Sequence, residues 1–216
     1  DEIENQKTQS SEKIRVAVIL GGYSSERHIS VESGRNIYEK LASSTKYSPT
    51  PVFLTGNNDV HELWKIPVNM LLKDNADDIA EKISRFKFHP VIEEIKLQCK
   101  KITQKFSSGN YQFSPMKISF EEMANDFDVV FVALHGRPGE DGAVQEKLDK
   151  LGLTYNGSGV SSSQITINKF LTNQLLKQNG FLIAEQFVAQ KSDWKKSEDN
   201  FIASLVKQFH FPFICK

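Results

Sequence analysis

The stretch from Asp128 to Gln145 limits what this chain can fold into more than any other. It runs Asp128-Val-Val-Phe-Val-Ala-Leu134, stops at His135, and passes through Gly136-Arg-Pro-Gly-Glu140-Asp-Gly142. An unbroken series of β-branched and aromatic side chains predicts a strand buried on both faces, with helices layered above and below it. Gly136, Pro138, Gly139 and Gly142 cannot continue that strand, and they let the backbone approach a ligand closely. Val144 to Leu151 then has helical spacing, with Leu148 and Leu151 on one face and Lys147, Asp149 and Lys150 outside. A loop that leaves the carboxyl end of a buried strand and enters a helix is where open α/β sheets bind ligands. A single histidine in such a loop carries little weight. His135 beside Glu140, Asp141 and this much glycine marks a functional site.

A second junction of the same kind opens the chain. Ile14-Arg-Val-Ala-Val-Ile-Leu20 reads as a buried strand, Gly21 to Ser30 as its loop, and Val31 to Leu41 as a helix. Ser30 is the expected N-cap, with Glu32 in the first turn. Gly21-Gly22 lacks the third glycine of a dinucleotide fingerprint, and no Gly-Lys-Ser/Thr follows to make a P-loop. Glu26 stands at this glycine-rich junction. Its carboxylate either binds a substrate ammonium or caps the amides of the following helix, and both roles suit the position.

Pro49 to Leu54 reads as a second strand. Residues 56–125 read as an insertion on one sheet edge, with helical spacing at Ile79–Ile83 and Val91–Phe106 and a hairpin edge at Asn110–Pro115. His61 and His89 have no partner at metal-ligand spacing, and no role is assigned to either. Beyond the central loop come a short strand at Leu153–Val160 and an amphipathic helix from Gln164 to Asn179, stopped by Gly180. A strand over 181–189, a helix over 195–209 and a strand over 211–216 complete the reading. Residues 1–13 are polar and read as a disordered arm. Both glycine-rich loops are expected at the same edge of one mainly parallel sheet.

Composition narrows the class of function. Lys+Arg 27 balances Asp+Glu 27, so no net charge argues for nucleic acid or a membrane surface as partner. No apolar run is long enough to span a bilayer. Cys99 and Cys215 fall in segments that read as buried, which suits reduced thiols in a cytoplasmic protein. The sequence starts at Asp1 and ends directly after an apolar run, which suggests a piece of a longer chain.

Three stretches together resemble the amino-terminal half of the D-alanine–D-alanine ligases, members of the ATP-grasp superfamily. They are Val18-Ile-Leu-Gly-Gly-Tyr-Ser-Ser-Glu26-Arg-His-Ile-Ser30, Leu134-His-Gly-Arg-Pro-Gly-Glu-Asp-Gly142 with Gln145, and Tyr155-Asn-Gly-Ser-Gly-Val160 running into Asn168-Lys169 and Leu171-Thr172. The resemblance covers residues 14–55 and 127–216. It implies an α/β, Rossmann-like pre-ATP-grasp domain over 14–160, then the start of the central ATP-grasp subdomain over 161–216. It also implies an ATP-dependent, magnesium-assisted ligase that joins two D-alanines for peptidoglycan through an acyl phosphate.

By position, the resemblance makes Glu26 the carboxylate that holds the first D-alanine's ammonium. His135 would lie near that substrate and Ile29 would line its pocket, while Lys169 and Lys216 would contact the ATP phosphates. No metal ligand is assigned here, because the family's magnesium ligands, phosphate loop and substrate arginine come later in sequence. The piece is therefore expected to be inactive alone. Asn168 stands where the family usually has Asp. A homodimer is the family's usual state. The alternatives are a D-alanine–D-lactate-type or other ATP-grasp carboxylate–amine ligase, and a non-catalytic ligase-like binding domain.

Overall fold

Strand β1 (Ile14–Gly21) lies inside the sheet, paired on both sides. Its alternate side chains point into two separate cores, Ala17 and Ile19 into one, and Val16, Val18 and Leu20 into the other. That is the arrangement an unbroken apolar run requires. The computed structural model describes residues 13–85, 90–106, 112–209 and 211–214. Apart from Lys13, the expected disordered arm lies outside the described residues, as do His89, Cys215 and Lys216.

Five further strands follow: β2 (Tyr47–Gly56), β3 (His61–Lys65), β4 (Met116–Ile118), β5 (Val129–Val132) and β6 (Thr154–Tyr155). They form one sheet in the order β4-β3-β2-β1-β5-β6. β1 pairs in parallel with β2 and with β5, and β5 in parallel with β6. β3 and β4 extend the other edge in antiparallel fashion. The sheet is mainly parallel, as expected.

Helices cover both faces. Those that follow β1 and β3 are α1 (Arg27–Ala42), α2 (Val68–Lys73) and α3 (Ala76–Arg85). They place Val31, Met70, Leu71, Ala76, Ile79 and Ile83 with Val18, Leu20 and Phe53. Next in sequence come α4 (Pro90–Gln98), α5 (Lys100–Phe106), α6 (Phe120–Asp126), α7 (Ala143–Lys150) and α8 (Val160–Thr166). Met123 of α6, with Val144 and Leu148 of α7, closes the opposite core over Ile19, Val52 and Leu54.

The polypeptide divides into two compact units, one reaching to Ile167 and the other starting at Asn168. The described residues of the second unit form α9 (Lys169–Gln178), α10 (Lys191–Lys196) and α11 (Glu198–Gln208), and no strand.

Several local expectations change. The first helix starts at Arg27, four residues early in chain terms, so Ser30 lies inside it and is fully buried rather than capping it. The single helix expected over 164–179 breaks at Ile167–Asn168. Asn168 accepts a 3.1 Å bond from the Leu171 amide and so starts a new helix, the role short amide side chains favour. The helix expected over 195–209 is two, divided at Ser197, whose hydroxyl caps α11 by accepting from the Asn200 amide. Residues 181–189 and 211–214 are not strands. A strand needs a neighbour for its amides, and the described second unit offers no sheet. Of the hairpin edge expected over 110–115, Asn110 and Tyr111 lie outside the described residues and the remaining four form no strand. Cys99 is half-buried, not core.

Candidate functional site

The strand order turns at β1. From β1 the chain proceeds to β2 on one side and, much later, to β5 on the other. The loops that leave β1 and β5 therefore emerge side by side at the sheet's carboxyl edge, where open α/β sheets bind ligands.

Three serines stitch these loops together. The Gly21 amide donates to Ser30 Oγ at 2.8 Å, and that hydroxyl donates to the Ala133 carbonyl at 3.0 Å. Ser24 Oγ donates to the His135 carbonyl at 2.7 Å and accepts from the Glu26 amide at 3.1 Å. Ser33 Oγ lies 2.8 Å from His135 Nε2, which fixes the imidazole against α1. Glu26 and His135, 109 positions apart in sequence by their numbers, are thus held by one hydroxyl.

Glycine is required at the meeting point. Gly136 has φ of +67°, and a Cβ there would lie 3.0 Å from Ser24 Cβ and 3.4 Å from Glu26 Oε2. A side chain would be strained there and would press on Ser24, the residue that joins the two loops. The loop then turns on itself, with the Gly139 and Glu140 amides both donating to the Gly136 carbonyl at 2.9 Å. Gln145, buried in α7, anchors it by donating from Nε2 to the Gly139 carbonyl at 2.6 Å.

Glu26 occupies the N-cap position of α1 but makes no side-chain capping bond. The capping alternative therefore has no support in the geometry. Its neighbour Arg27 is directed away, in a two-pronged contact with Asp77 at 2.7 and 3.0 Å, and that contact lowers the Asp77 pKa. The Glu26 carboxylate is left exposed at the mouth between the loops, with Ile29 one turn along, 55% exposed. An exposed carboxylate and an imidazole brought together by neighbouring loops can engage a ligand's ammonium group through charge-assisted hydrogen bonds.

One residue near the site gave no sequence signal. His61 opens β3 and stacks on Tyr23 of the first loop, with ring centroids 5.9 Å apart and the Tyr23 hydroxyl 3.3 Å from Nε2. Its Nδ1 is buried with no hydrogen-bond partner among the described residues. Burial, then the Lys147 charge, lowers the His61 pKa, with Asp141 opposing. Burial, then Asp141, raises that of Tyr23. Only the antiparallel register of β3 on β2 brings His61 here.

Of the remaining expected site residues, Lys169 is the exposed first residue of α9, in the second unit, and Lys216 lies outside the described residues. Among the described residues there is no group of three or more His, Cys, Asp or Glu placed to hold a metal ion. No described helix is long and apolar enough to cross a membrane.

Fold and loop geometry together define a doubly wound α/β domain whose strand order switches at β1, the kind of place where open α/β sheets bind ligands. The chain belongs to the family described as D-ala D-ala ligase N-terminus, whose model matches residues 15–158. A D-alanine–D-alanine ligase from Natranaerobius thermophilus is 28% identical over 213 residues, covering 94% of this chain and 50% of that protein. Among solved structures, the D-alanine–D-alanine ligase from Coxiella burnetii aligns with a TM-score of 0.58 at 24% identity, covering 91% of this chain and 50% of the other. The VanG D-Ala:D-Ser ligase from Enterococcus faecalis aligns at 0.55 and 18% identity, covering 90% and 50%. At these identities the structures establish the fold. The chain spans about half the length of the curated relatives it matches.

Proposed function

We propose that this chain is the amino-terminal part of a cytoplasmic, ATP-dependent D-alanine–D-alanine ligase that makes the dipeptide for peptidoglycan. In this reading the carboxylate of one D-alanine takes the γ-phosphoryl group of ATP, giving an acyl phosphate and ADP. The amino group of a second D-alanine attacks the acyl carbon, phosphate leaves, and the amine loses a proton. Activation is needed because a carboxylate oxygen is a poor leaving group.

The part of this chain is to hold the first D-alanine. Glu26 accepts hydrogen bonds from its ammonium, His135 lies beside it, and Ile29 lines the pocket. Lys169 and Lys216 contact the ATP phosphates, whose charge calls for fixed cations. Magnesium, which offsets charge on the transferring phosphoryl group, would be held in the portion of the relatives this chain does not span. The observation that supports the reading most is the single hydroxyl, Ser24 Oγ, that joins the Glu26 amide to the His135 carbonyl. It brings two of the three family-like stretches to one mouth.

The test is product release. A protein spanning the full length of the relatives, supplied with ATP, magnesium and D-alanine, should release ADP and form the dipeptide. The 216-residue chain alone should release none. ADP release that does not depend on D-alanine, or D-alanine-dependent release by the short chain, would overturn the assignment.

A further inference from the structure

The loop between β1 and α1 opens on its least constrained backbone and is pinned one residue later. Gly21 and Gly22 both adopt left-handed conformations, with φ of +92° and +90°, a freedom that comes from having no Cβ. Tyr23 is the first side chain after them, and it packs against the core that holds Ile19 and Leu54. Its ring stacks on His61 with 27° between the planes, and its hydroxyl lies 3.3 Å from Nε2. His61 is a fixed point. The turn that delivers it is closed by Asn57, whose amide donates to the Val60 carbonyl at 2.9 Å. The Asn57 side-chain oxygen accepts from the Asp59 and Val60 amides at 2.9 and 3.0 Å. His61 then pairs with Gly56 in the sheet, where a Cβ on Gly56 would lie 1.9 Å from the Val60 carbonyl oxygen. A loop opened by two glycines is thus clipped to a tightly closed hairpin through two rings.

What the clip holds is Ser24. That residue follows Tyr23 directly, and its hydroxyl joins the Glu26 amide to the His135 carbonyl. We infer that Tyr23 and His61 are positioning residues for Glu26, fixing the first loop so that the carboxylate is in place before the ammonium of the first substrate arrives. The inference rests on the proposed function and adds to it two side chains that act through Ser24 rather than on the substrate. Without the stack, the paired glycines let Tyr23 and Ser24 sample other backbone states, and ordering them falls to substrate binding. Freeing about one residue's backbone corresponds to roughly tenfold in affinity.

Binding measurements on a protein spanning the full length of the relatives test this. His61→Ala should weaken D-alanine about tenfold at unchanged ATP affinity, because the proposed phosphate contacts belong to the second unit. His61→Leu keeps apolar volume without a flat ring; it should match His61→Ala and guards against a loss of folding. His61→Phe keeps a ring against Tyr23 and should stay within about threefold of wild type. Since His61 acts through Glu26, His61→Ala should cost little more once Glu26→Gln is present. Hydrogen exchange needs no substrate: the peptide carrying Ser24 to Arg27 should exchange faster in His61→Ala and His61→Leu, and at the wild-type rate in His61→Phe. Unchanged D-alanine affinity in both ring-deleting variants, an equal loss with and without Glu26→Gln, or unaltered exchange of that peptide would each overturn the positioning role. An equal loss of ATP affinity would overturn it too, by showing a general loosening of the fold. D-alanine affinity indifferent to Glu26→Gln has a different meaning: it removes the substrate assignment itself, and this inference with it.

Discussion

Glu26 sits at the foot of α1 without capping it, and its nearest basic neighbour in sequence, Arg27, is engaged by Asp77. Under the proposed function, that carboxylate gains its partner when the ammonium of the first D-alanine arrives and excludes water. A charge-assisted bond of that kind contributes about 1.5–3 kcal/mol. Glu26→Gln in the full-length protein should therefore weaken the first D-alanine by about ten- to a hundredfold, since each 1.4 kcal/mol is tenfold. ATP affinity and melting temperature should stay within error, because no capping bond is lost. D-alanine saturation and a thermal melt on one preparation read both. A lowered melting temperature with unchanged D-alanine affinity would return Glu26 to a capping role.

At the scale of elements, the site depends on how β1, α1 and β5 are held together. Ser30 links all three: its hydroxyl accepts from the end of β1 and donates to the residue after β5, from inside α1. Its burial leaves no water to replace it. Ser30→Ala orphans a buried amide and a buried carbonyl, at a cost of about 1–3 kcal/mol, which corresponds to a fall of roughly 3–10 °C in melting temperature for a chain of this size. Helix content should be unchanged, because Ala suits a helix interior better than Ser. An unaltered melting temperature would show that the bridge does not hold the loops. Ser30 was legible as important and misread in kind. The N-cap reading placed the helix start at the last polar residue before Val31, while the helix begins at Arg27 and turns Ser30 inward.

For the whole molecule, acid should loosen the fold near neutrality through His61. Burial sets its folded pKa below the ordinary 6.5, so on acidification the unfolded chain takes up the proton first. The stability from neutral His61 is complete above about pH 6.5 and is lost as pH falls through the lowered folded value. Asp77 and Asp128, held below 3.8 by hydrogen bonds from Arg27 and Arg15, act in a separate and more acidic window. Thermal melts between about pH 7.5 and 5.5 should show a falling midpoint, with a smaller slope in His61→Phe, which keeps an aromatic ring against Tyr23 but cannot titrate. Equal slopes in the two proteins would exclude His61.

The sequence by itself determined the sheet's central strands, its helical layers and the two loops that carry Glu26 and His135. Period, burial and glycine are local properties, and 14–20 and 128–134 declare themselves as strands buried on both faces. Tertiary structure alone decided the rest, because it depends on what each segment meets. His61 reaches Tyr23 only through the register of β3 on β2. Residues 181–189 have a strand's composition and no neighbouring strand among the described residues to bond with, so they remain irregular. The helix expected over 164–179 divides because the Asn168 side chain competes for the Leu171 amide at the boundary between units. Local pattern proposes an element, and the availability of a partner for its backbone and its apolar face decides whether it forms.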